Sequence, residues 1–233
     1  MIREKHLVIL LNKYKLSNSP NPTIAMLVKV CGMKDRHQIQ QLEKLRPDFI
    51  GLIFYERSPR FVTEPLDGLS KEVQRVGVFV NADLGYLQEK TGQYRLDLIQ
   101  LHGNESPEYC RKVRALGCGL LKAFSLTAPC ADEVTAPYEG ICDFFLFDTP
   151  CKEYGGSGKT FDWNLLQSYH GSTPFLLSGG IRPDSLEALS GFRHPRFAGV
   201  DLNSGFETAP GVKDIWTLET FITQVKHLTP IQP

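Results

Sequence analysis

Eight short apolar runs alternate with connections long enough to carry a helix, across roughly 200 residues. Nearly every run ends in a polar residue or a glycine turn. Parallel strands joined by right-handed crossovers fit this order. Together these observations predict an α/β fold, a closed (β/α)8 TIM barrel forming a single domain.

The strand-like runs are 27–31, 49–53, 76–80, 96–101, 119–124, 144–147, 175–177 and 197–202. Each is rich in Val, Ile, Leu or Phe, and several are apolar throughout. That is the pattern of parallel strands covered on one face and packed inward on the other. Helices are expected between them. The segment 35–45 carries Ile39, Leu42 and Leu45 at helical spacing. Further helices are expected over 82–91, 106–116, 162–169, 183–189 and 212–225. Ser106-Pro107-Glu108 is a good helix start. Segments 66–75 and 131–138 are weaker, and Ala128-Pro129 and Ala136-Pro137 break up the latter. The alternative is an open doubly wound sheet. No GxGxxG turn follows the first run, which counts against a dinucleotide-binding version of it.

The barrel is expected to span 27–227. Residues 1–26 read as a loosely structured N-terminal extension, with the turn-forming run Ser17-Asn18-Ser19-Pro20-Asn21-Pro22. Residues 228–233 read as a C-terminal tail. Leu7-Val8-Ile9-Leu10-Leu11 follows Arg3 and Lys5, but no small-residue cleavage site comes after it, which argues against a secretory signal. No apolar run approaches the roughly 18–20 residues of a membrane span, so no membrane partner is expected.

Composition narrows the partners. The chain has 233 residues, 42% hydrophobic and 22% charged, and 26 basic residues balance 26 acidic ones. A neutral chain lacks the basic footprint of a nucleic-acid binder. An anionic ligand must then be held by local groups and helix N-termini. The cysteines are Cys31, Cys110, Cys118, Cys130, Cys142 and Cys151, with no CxxC pair among them. That argues against zinc and against a disulfide framework, and for reduced thiols in the cytoplasm.

In a barrel the active site lies at the C-terminal ends of the strands. The first run ends Lys29-Val30-Cys31-Gly32, and the second leads into Phe54-Tyr55-Glu56-Arg57-Ser58-Pro59-Arg60-Phe61. The third ends at Asn81, the fourth in Gln100-Leu101-His102-Gly103, and the sixth in Phe147-Asp148-Thr149. The fifth, Phe124-Ser125, is uninformative. The seventh ends Ser178-Gly179-Gly180-Ile181 and the eighth Asp201-Leu202-Asn203-Ser204-Gly205. Gln100 and His102 are candidate substrate-binding residues.

Gly179 and Gly180, with Asn203, Ser204 and Gly205, suit a phosphate. Glycines let backbone N–H groups approach an anion, and barrels often place phosphate at these two loops. Either loop alone reads as well as a tight turn. Gly156-Ser157-Gly158-Lys159-Thr160 invites a P-loop reading, but Glu153 stands where GxxxxGK[ST] needs glycine. A glycine-hinged lid over 149–161 fits better, with Gly156, Ser157 and Gly158 adding donors to the same phosphate.

Cys31 and Asp148 end the first and sixth runs, three steps apart around an eight-strand ring. That faces them across the mouth, suited to one phosphorylated substrate held between an acid and a base. Alone, Cys31 reads as a buried inert thiol and Asp148 as a loop-capping carboxylate. As a base, a thiol needs its reference value of about 8.5 lowered, or a proton acidified by the substrate. An acid near neutrality needs an aspartate raised by burial. Arg60, among Phe54, Tyr55 and Phe61, is placed to grip a planar carboxylate, though taken alone it reads as an exposed loop arginine.

Eight motifs in order resemble the phosphoribosylanthranilate isomerase family: Lys29–Gly32, the loop 54–61, Val76-Gly77-Val78-Phe79-Val80-Asn81, Gln100–Gly103, Phe147–Thr149, 155–163, Ser178–Ile181, and Val200 through Glu207. The likeness covers nearly everything from Leu27 to Val225. It implies a barrel enzyme of tryptophan biosynthesis with no metal or cofactor. The implied substrate is a small phosphosugar, N-(5-phosphoribosyl)anthranilate. The implied product of an Amadori rearrangement is 1-(2-carboxyphenylamino)-1-deoxyribulose 5-phosphate. Carried over, Asp148 is the general acid, Cys31 the general base, and Arg60 the group that holds the anthranilate carboxylate. The glycine loops match the phosphate site. Oligomeric state, monomer or homodimer, is left open. Departures are Lys34, where the family often has a small hydroxyl residue, Asn203 and Phe206 in place of common Ser and Val, Cys151 near the lid, and the N-terminal extension.

Other phosphosugar barrels compete. A ribulose-phosphate epimerase is expected to present paired histidine and aspartate strand ends for a metal, and indole-glycerol-phosphate synthase a lysine acid at a strand end. A non-catalytic phosphate sensor would need neither Cys31 nor Asp148, so their joint presence favours an enzyme. Because residues 1–25 precede every motif, a chain starting at Met26 is expected to stay soluble and keep its activity; insolubility or loss of turnover would refute this.

Overall fold

The computed structural model describes residues 26–64, 66, 68–148 and 163–228. Eight parallel strands close into one barrel. They are β1 (Leu27–Val30), β2 (Phe49–Ile53), β3 (Gln74–Phe79), β4 (Leu98–Leu101), β5 (Gly119–Ser125), β6 (Phe144–Asp148), β7 (Phe175–Leu177) and β8 (Phe197–Leu202). The ring closes where β1 pairs with β8, with Leu27 opposite Gly199 and Lys29 opposite Asp201. The predicted (β/α)8 barrel is therefore the fold.

Each strand buries both faces, which is why the runs read as apolar throughout. Leu27, Phe49, Val76, Leu98, Leu121, Phe144, Leu146, Leu176 and Ala198 form one cluster that fills the ring. A second, larger cluster lies between barrel and helices, and includes Val28, Val30, Ile39, Leu42, Leu218, Phe221 and Val225. The alternation of the two sets along each strand follows the two-residue period of the pleat.

The outer helices are α1 (Arg36–Lys44), α2 (Leu84–Tyr94), α3 (Pro107–Arg114), α4 (Ala131–Thr135), α5 (Leu186–Gly191) and α6 (Ile215–His227). Four start on side-chain caps. Asp35 accepts from the Gln38 N–H, Asp83 from Tyr86, Ser106 from Tyr109 and Asp214 from Thr217. Each cap satisfies one of the N–H groups a helix start leaves unpaired. Pro107 at the first turn of α3 fits the start read from Ser106-Pro107-Glu108.

Three connections differ from expectation. No helix forms among the described residues after β2. Gly68 there has φ +73, and Val62, Leu66, Leu69 and Val73 bury themselves from irregular chain. Trp163–Ser168 is a 3-10 turn instead of part of an α-helix. Its Ser168 hydroxyl donates to the Leu165 carbonyl and accepts from the Ala131 N–H, a local alternative to helical bonding. The last helix starts at Ile215, three residues later than expected. Val212–Lys213 (β10) instead pairs antiparallel with Glu207–Ala209 (β9), and the Asp214 cap starts α6 only after that ribbon.

Three aspartates brace the lower rim in the same way. Asp48, Asp97 and Asp143, each immediately before an even strand, accept from the N–H of Val28, Arg75 and Leu120 near the start of the preceding strand, at 2.9 Å each. Asp143 is also held by the Arg114 guanidinium and is almost fully buried. Replacing it leaves a buried N–H without its acceptor. Asp143→Ala is expected to cost about 2–3 kcal/mol, read as a lower urea midpoint; an unchanged midpoint would refute the bracing role.

Candidate active site

The first sequence candidate sits where the barrel closes. The Cys31 N–H donates to the Leu202 carbonyl at 2.8 Å, and the Met33 N–H to the Gly51 carbonyl at 3.1 Å, so the end of β1 is held between β8 and β2. A β-carbon at Gly51 would lie 2.7 Å from the Cys31 sulfur, so glycine on β2 is what gives the thiol its space. Gly32, with φ +76, does the same for its neighbours: a β-carbon there would meet Arg60 Cδ at 2.6 Å and Asn203 Oδ1 at 2.7 Å.

Lys29 lies two residues before Cys31, on the same inner face of β1. It is fully buried, and its Nζ donates to Asp201 Oδ1 on β8 at 2.9 Å. Burial works against the Lys29 charge, but Asp201 and the Cys31 sulfur outweigh it, and the ammonium is held above its ordinary value. Burial pushes the Cys31 thiol up; Lys29 and Lys213 pull the other way without overcoming it. Ser178 at the end of β7 adds a weak 3.5 Å contact to Asp201 Oδ2.

Across the mouth, Asp148 ends β6 on the inner face. His102 Nε2 lies 3.4 Å from Asp148 Oδ2, and Gln100 Nε2 lies 2.8 Å from His102 Nδ1. With Gln100 donating, Nδ1 is the acceptor and Nε2 carries the hydrogen that faces Asp148. The Gln100 Oε1 atom is buried with no hydrogen-bond partner among the described residues. Strand β4 thus supplies a chain of contacts that ends on the β6 carboxylate.

Arg60 is not an exposed loop arginine. It is 8% exposed, and its Nε donates to both Glu207 oxygens at 2.9 and 3.0 Å while Nη2 donates to Oε2 at 2.6 Å. Glu207 also accepts from Lys213 Nζ at 2.7 Å and from the Gly211 N–H at 3.1 Å. Burial alone would raise the Glu207 carboxyl, but its bonds to Arg60 and Lys213 hold it below its ordinary value. Lys213 also donates to Asn203 Oδ1 at 2.8 Å, which ties the strand-eight loop to the ribbon.

Gly179 and Gly180 both have positive φ, +75 and +70. A β-carbon at Gly205 would sit 2.1 Å from the Ile181 carbonyl oxygen, so the loops after β7 and β8 meet closely. Ser204–Phe206 makes a 3-10 turn there. Gly156, Ser157, Gly158, Cys151 and the expected lid lie outside the described residues. Lys34, a departure from the family pattern, donates to the Pro59 carbonyl at 3.0 Å and so closes on the loop that carries Arg60. Phe206, another, is buried with its ring 4.8 Å from that of Phe221. Among the described residues no group of three or more His, Cys, Asp or Glu is placed to hold a metal ion, and no helix is long and apolar enough to cross a membrane.

Sequence reading missed Lys29, Asp201, Glu207 and Lys213 as parts of this site. The two-residue period from Cys31 back to Lys29 was a usable signal for the first. No sequence signal brings Lys213 to the mouth, because the β9–β10 ribbon does that.

A closed (β/α)8 barrel with a thiol and a carboxylate at strand ends, beside paired glycine loops, defines the class of single-barrel enzymes working at the C-terminal mouth. The family model described as N-(5'phosphoribosyl)anthranilate (PRA) isomerase matches residues 28–224, and the chain belongs to that family. A relative from Parabacteroides distasonis, N-(5'-phosphoribosyl)anthranilate isomerase, is 52% identical over 208 residues, covering 87% of this chain and 94% of its own. The phosphoribosyl anthranilate isomerase of Thermotoga maritima superposes with a TM-score of 0.77 at 34% identity, covering 87% and 100% of the two chains. A further structure is similar at TM-score 0.74 and 30% identity, over 87% and 100% of the chains. It is a phosphoribosyl anthranilate isomerase in complex with reduced 1-(o-carboxyphenylamino)-1-deoxyribulose 5-phosphate.

Breaking one half of a buried ion pair strands the other charge. Lys29→Met is therefore expected to destabilise by about 3 kcal/mol, and Lys29→Met with Asp201→Leu to recover most of it. Urea unfolding checks this, and equal losses in both variants would refute it.

Proposed function

We propose that this chain converts N-(5-phosphoribosyl)anthranilate to 1-(2-carboxyphenylamino)-1-deoxyribulose 5-phosphate, a step of tryptophan biosynthesis. The observation that carries the reading is a coincidence of two kinds. The family match runs over residues 28–224, and Cys31, just after β1, and Asp148, at the end of β6, lie three strands apart at one mouth of the barrel.

Asp148 serves as the general acid. It gives its proton to the ribose ring oxygen, the furanose opens, and the anthranilate nitrogen becomes a protonated Schiff base. Cys31 serves as the general base. It takes the C2 proton, which the adjacent iminium has acidified, and the enolamine formed tautomerises to the ketone. His102, with Nε2 facing Asp148 Oδ2, positions the acid, and Gln100 fixes the histidine ring. The loops of Gly179, Gly180, Asn203, Ser204 and Gly205 hold the 5-phosphate, with Gly156, Ser157 and Gly158 as the lid's contribution. Arg60 holds the anthranilate carboxylate. The acid–base steps ask nothing of a cofactor. The partner is a small phosphosugar, and the site of action is the cytoplasm.

Single proton-transfer groups contribute roughly 10²–10⁴-fold to rate. Cys31→Ala and Asp148→Asn are each expected to lower kcat in that range, with substrate affinity largely kept. Steady-state turnover of phosphoribosylanthranilate reads the effect, and an unimpaired variant overturns its assigned role. A wild-type protein without turnover overturns the whole assignment.

A further inference from the structure

Arg60 meets Glu207 along one edge only. Nε and Nη2 are both committed to the Glu207 carboxylate, at 2.6–3.0 Å. Among the described residues Nη1 makes no hydrogen bond. A guanidinium is a planar fork with five N–H donors, and each of its edges matches one carboxylate. The edge made by Nη1 and the remaining Nη2 hydrogen is therefore the one left for a ligand.

The surroundings fix the plane of that fork. The Arg60 stem runs close over Gly32, the residue after Cys31, where any β-carbon would strike it at 2.6 Å. Glu207 is anchored in turn by Lys213 Nζ at 2.7 Å and the Gly211 N–H at 3.1 Å. Lys213 is fully buried and also ties down Asn203. A mobile arginine loses rotamer freedom on gripping a ligand, whereas one already clamped does not. Glu207 also sits at the start of β9, outside the strand ends that carry the acid and the base.

We propose that Glu207 is a positioning residue for substrate selection. It holds the Nε edge of Arg60 so that the Nη edge is presented ready-made to the aromatic carboxylate of the substrate. The proposal rests on the reading of Arg60 given above. Lys213 anchors the Glu207 carboxylate on the side away from Arg60.

The test compares two probes on the full-length protein by calorimetry. One is reduced 1-(o-carboxyphenylamino)-1-deoxyribulose 5-phosphate; the other is its phenylamino counterpart, identical but lacking the carboxyl group. Wild type is expected to prefer the carboxylated probe. Glu207→Gln keeps the shape and removes the charge. It is expected to weaken the carboxylated probe roughly tenfold to a hundredfold, the range of a charged hydrogen bond, and to leave the phenylamino probe unchanged. In turnover the same variant raises KM and largely keeps kcat. Glu207→Asp restores the charge and recovers part of the preference, and it supplies the reading if Glu207→Gln does not fold. Equal weakening of both probes would mean a merely structural Glu207 and overturn the proposal. Tighter binding of the carboxylated probe would also overturn it, since Glu207 would then compete with the ligand for Arg60. A wild type indifferent to the carboxyl group would instead overturn the reading of Arg60 itself.

Discussion

The ion pair between Lys29 and Asp201 lies at the seam where the barrel closes, and the rest of the mouth is built over it. Lys29 and Asp201 are opposite one another in the β1–β8 register, fully or almost fully buried. Two charges at that depth are tolerable only as a well-made pair. Their pairing fixes the strand register at the one place where chain order does not help, since β1 and β8 come from opposite ends of the barrel sequence. It also replaces apolar filling with charge directly beneath Cys31. Below this level the ring is packed with Leu27, Phe49, Val76 and Phe144. Above it the inner face turns polar, with Gln100, His102, Asp148 and Asn203.

A second charged group is stacked on the first. Lys213, Glu207 and Arg60 run from the β9–β10 ribbon to the loop after β2, and Lys213 reaches Asn203 at the end of β8. Its one carboxylate, Glu207, has a cation on each side. Burial pulls the Lys213 ammonium below its ordinary value, and the Glu207 carboxylate opposes that pull without overcoming it. The ribbon is thus more than a connection to α6. It brings the counter-charges to a site otherwise built from strand ends.

The fold was legible because burial on both faces leaves long apolar runs, and eight of them in alternation admit few topologies. The placement of Cys31 and Asp148 at strand ends was legible from the apolar runs that precede them. The environment of Arg60 was not legible. Its partner Glu207 is 147 residues away in sequence, and no local pattern announces a contact at that separation. Lys29 stood in plain view inside an apolar run, yet a lysine there reads as a strand's solvent face unless the strand is known to be closed in a ring. Helix starts with a side-chain cap were read to within a few residues. The connection after β2 was not, because its apolar residues are buried by an irregular path around Gly68 and so carry helical composition without helical bonding.

The order of the proposed chemistry follows from the same electrostatics. In the free site burial holds the Cys31 thiol up, and neither Lys29 nor Lys213 reverses that. Only the thiolate can accept the C2 proton. Protonation of the ribose ring oxygen by Asp148 redistributes charge: opening the ring leaves a cationic Schiff base on the substrate and a negative carboxylate on Asp148. Inside a protein a positive charge acts on a nearby sulfur more strongly than it would in water. It acts in the same direction as the two lysines, against burial. The cation that acidifies the substrate's C2 proton thus also lowers the cost of holding Cys31 as the thiolate that accepts it. On the proposed mechanism the acid works before the base, because the C2 proton is acidified only once the iminium has formed.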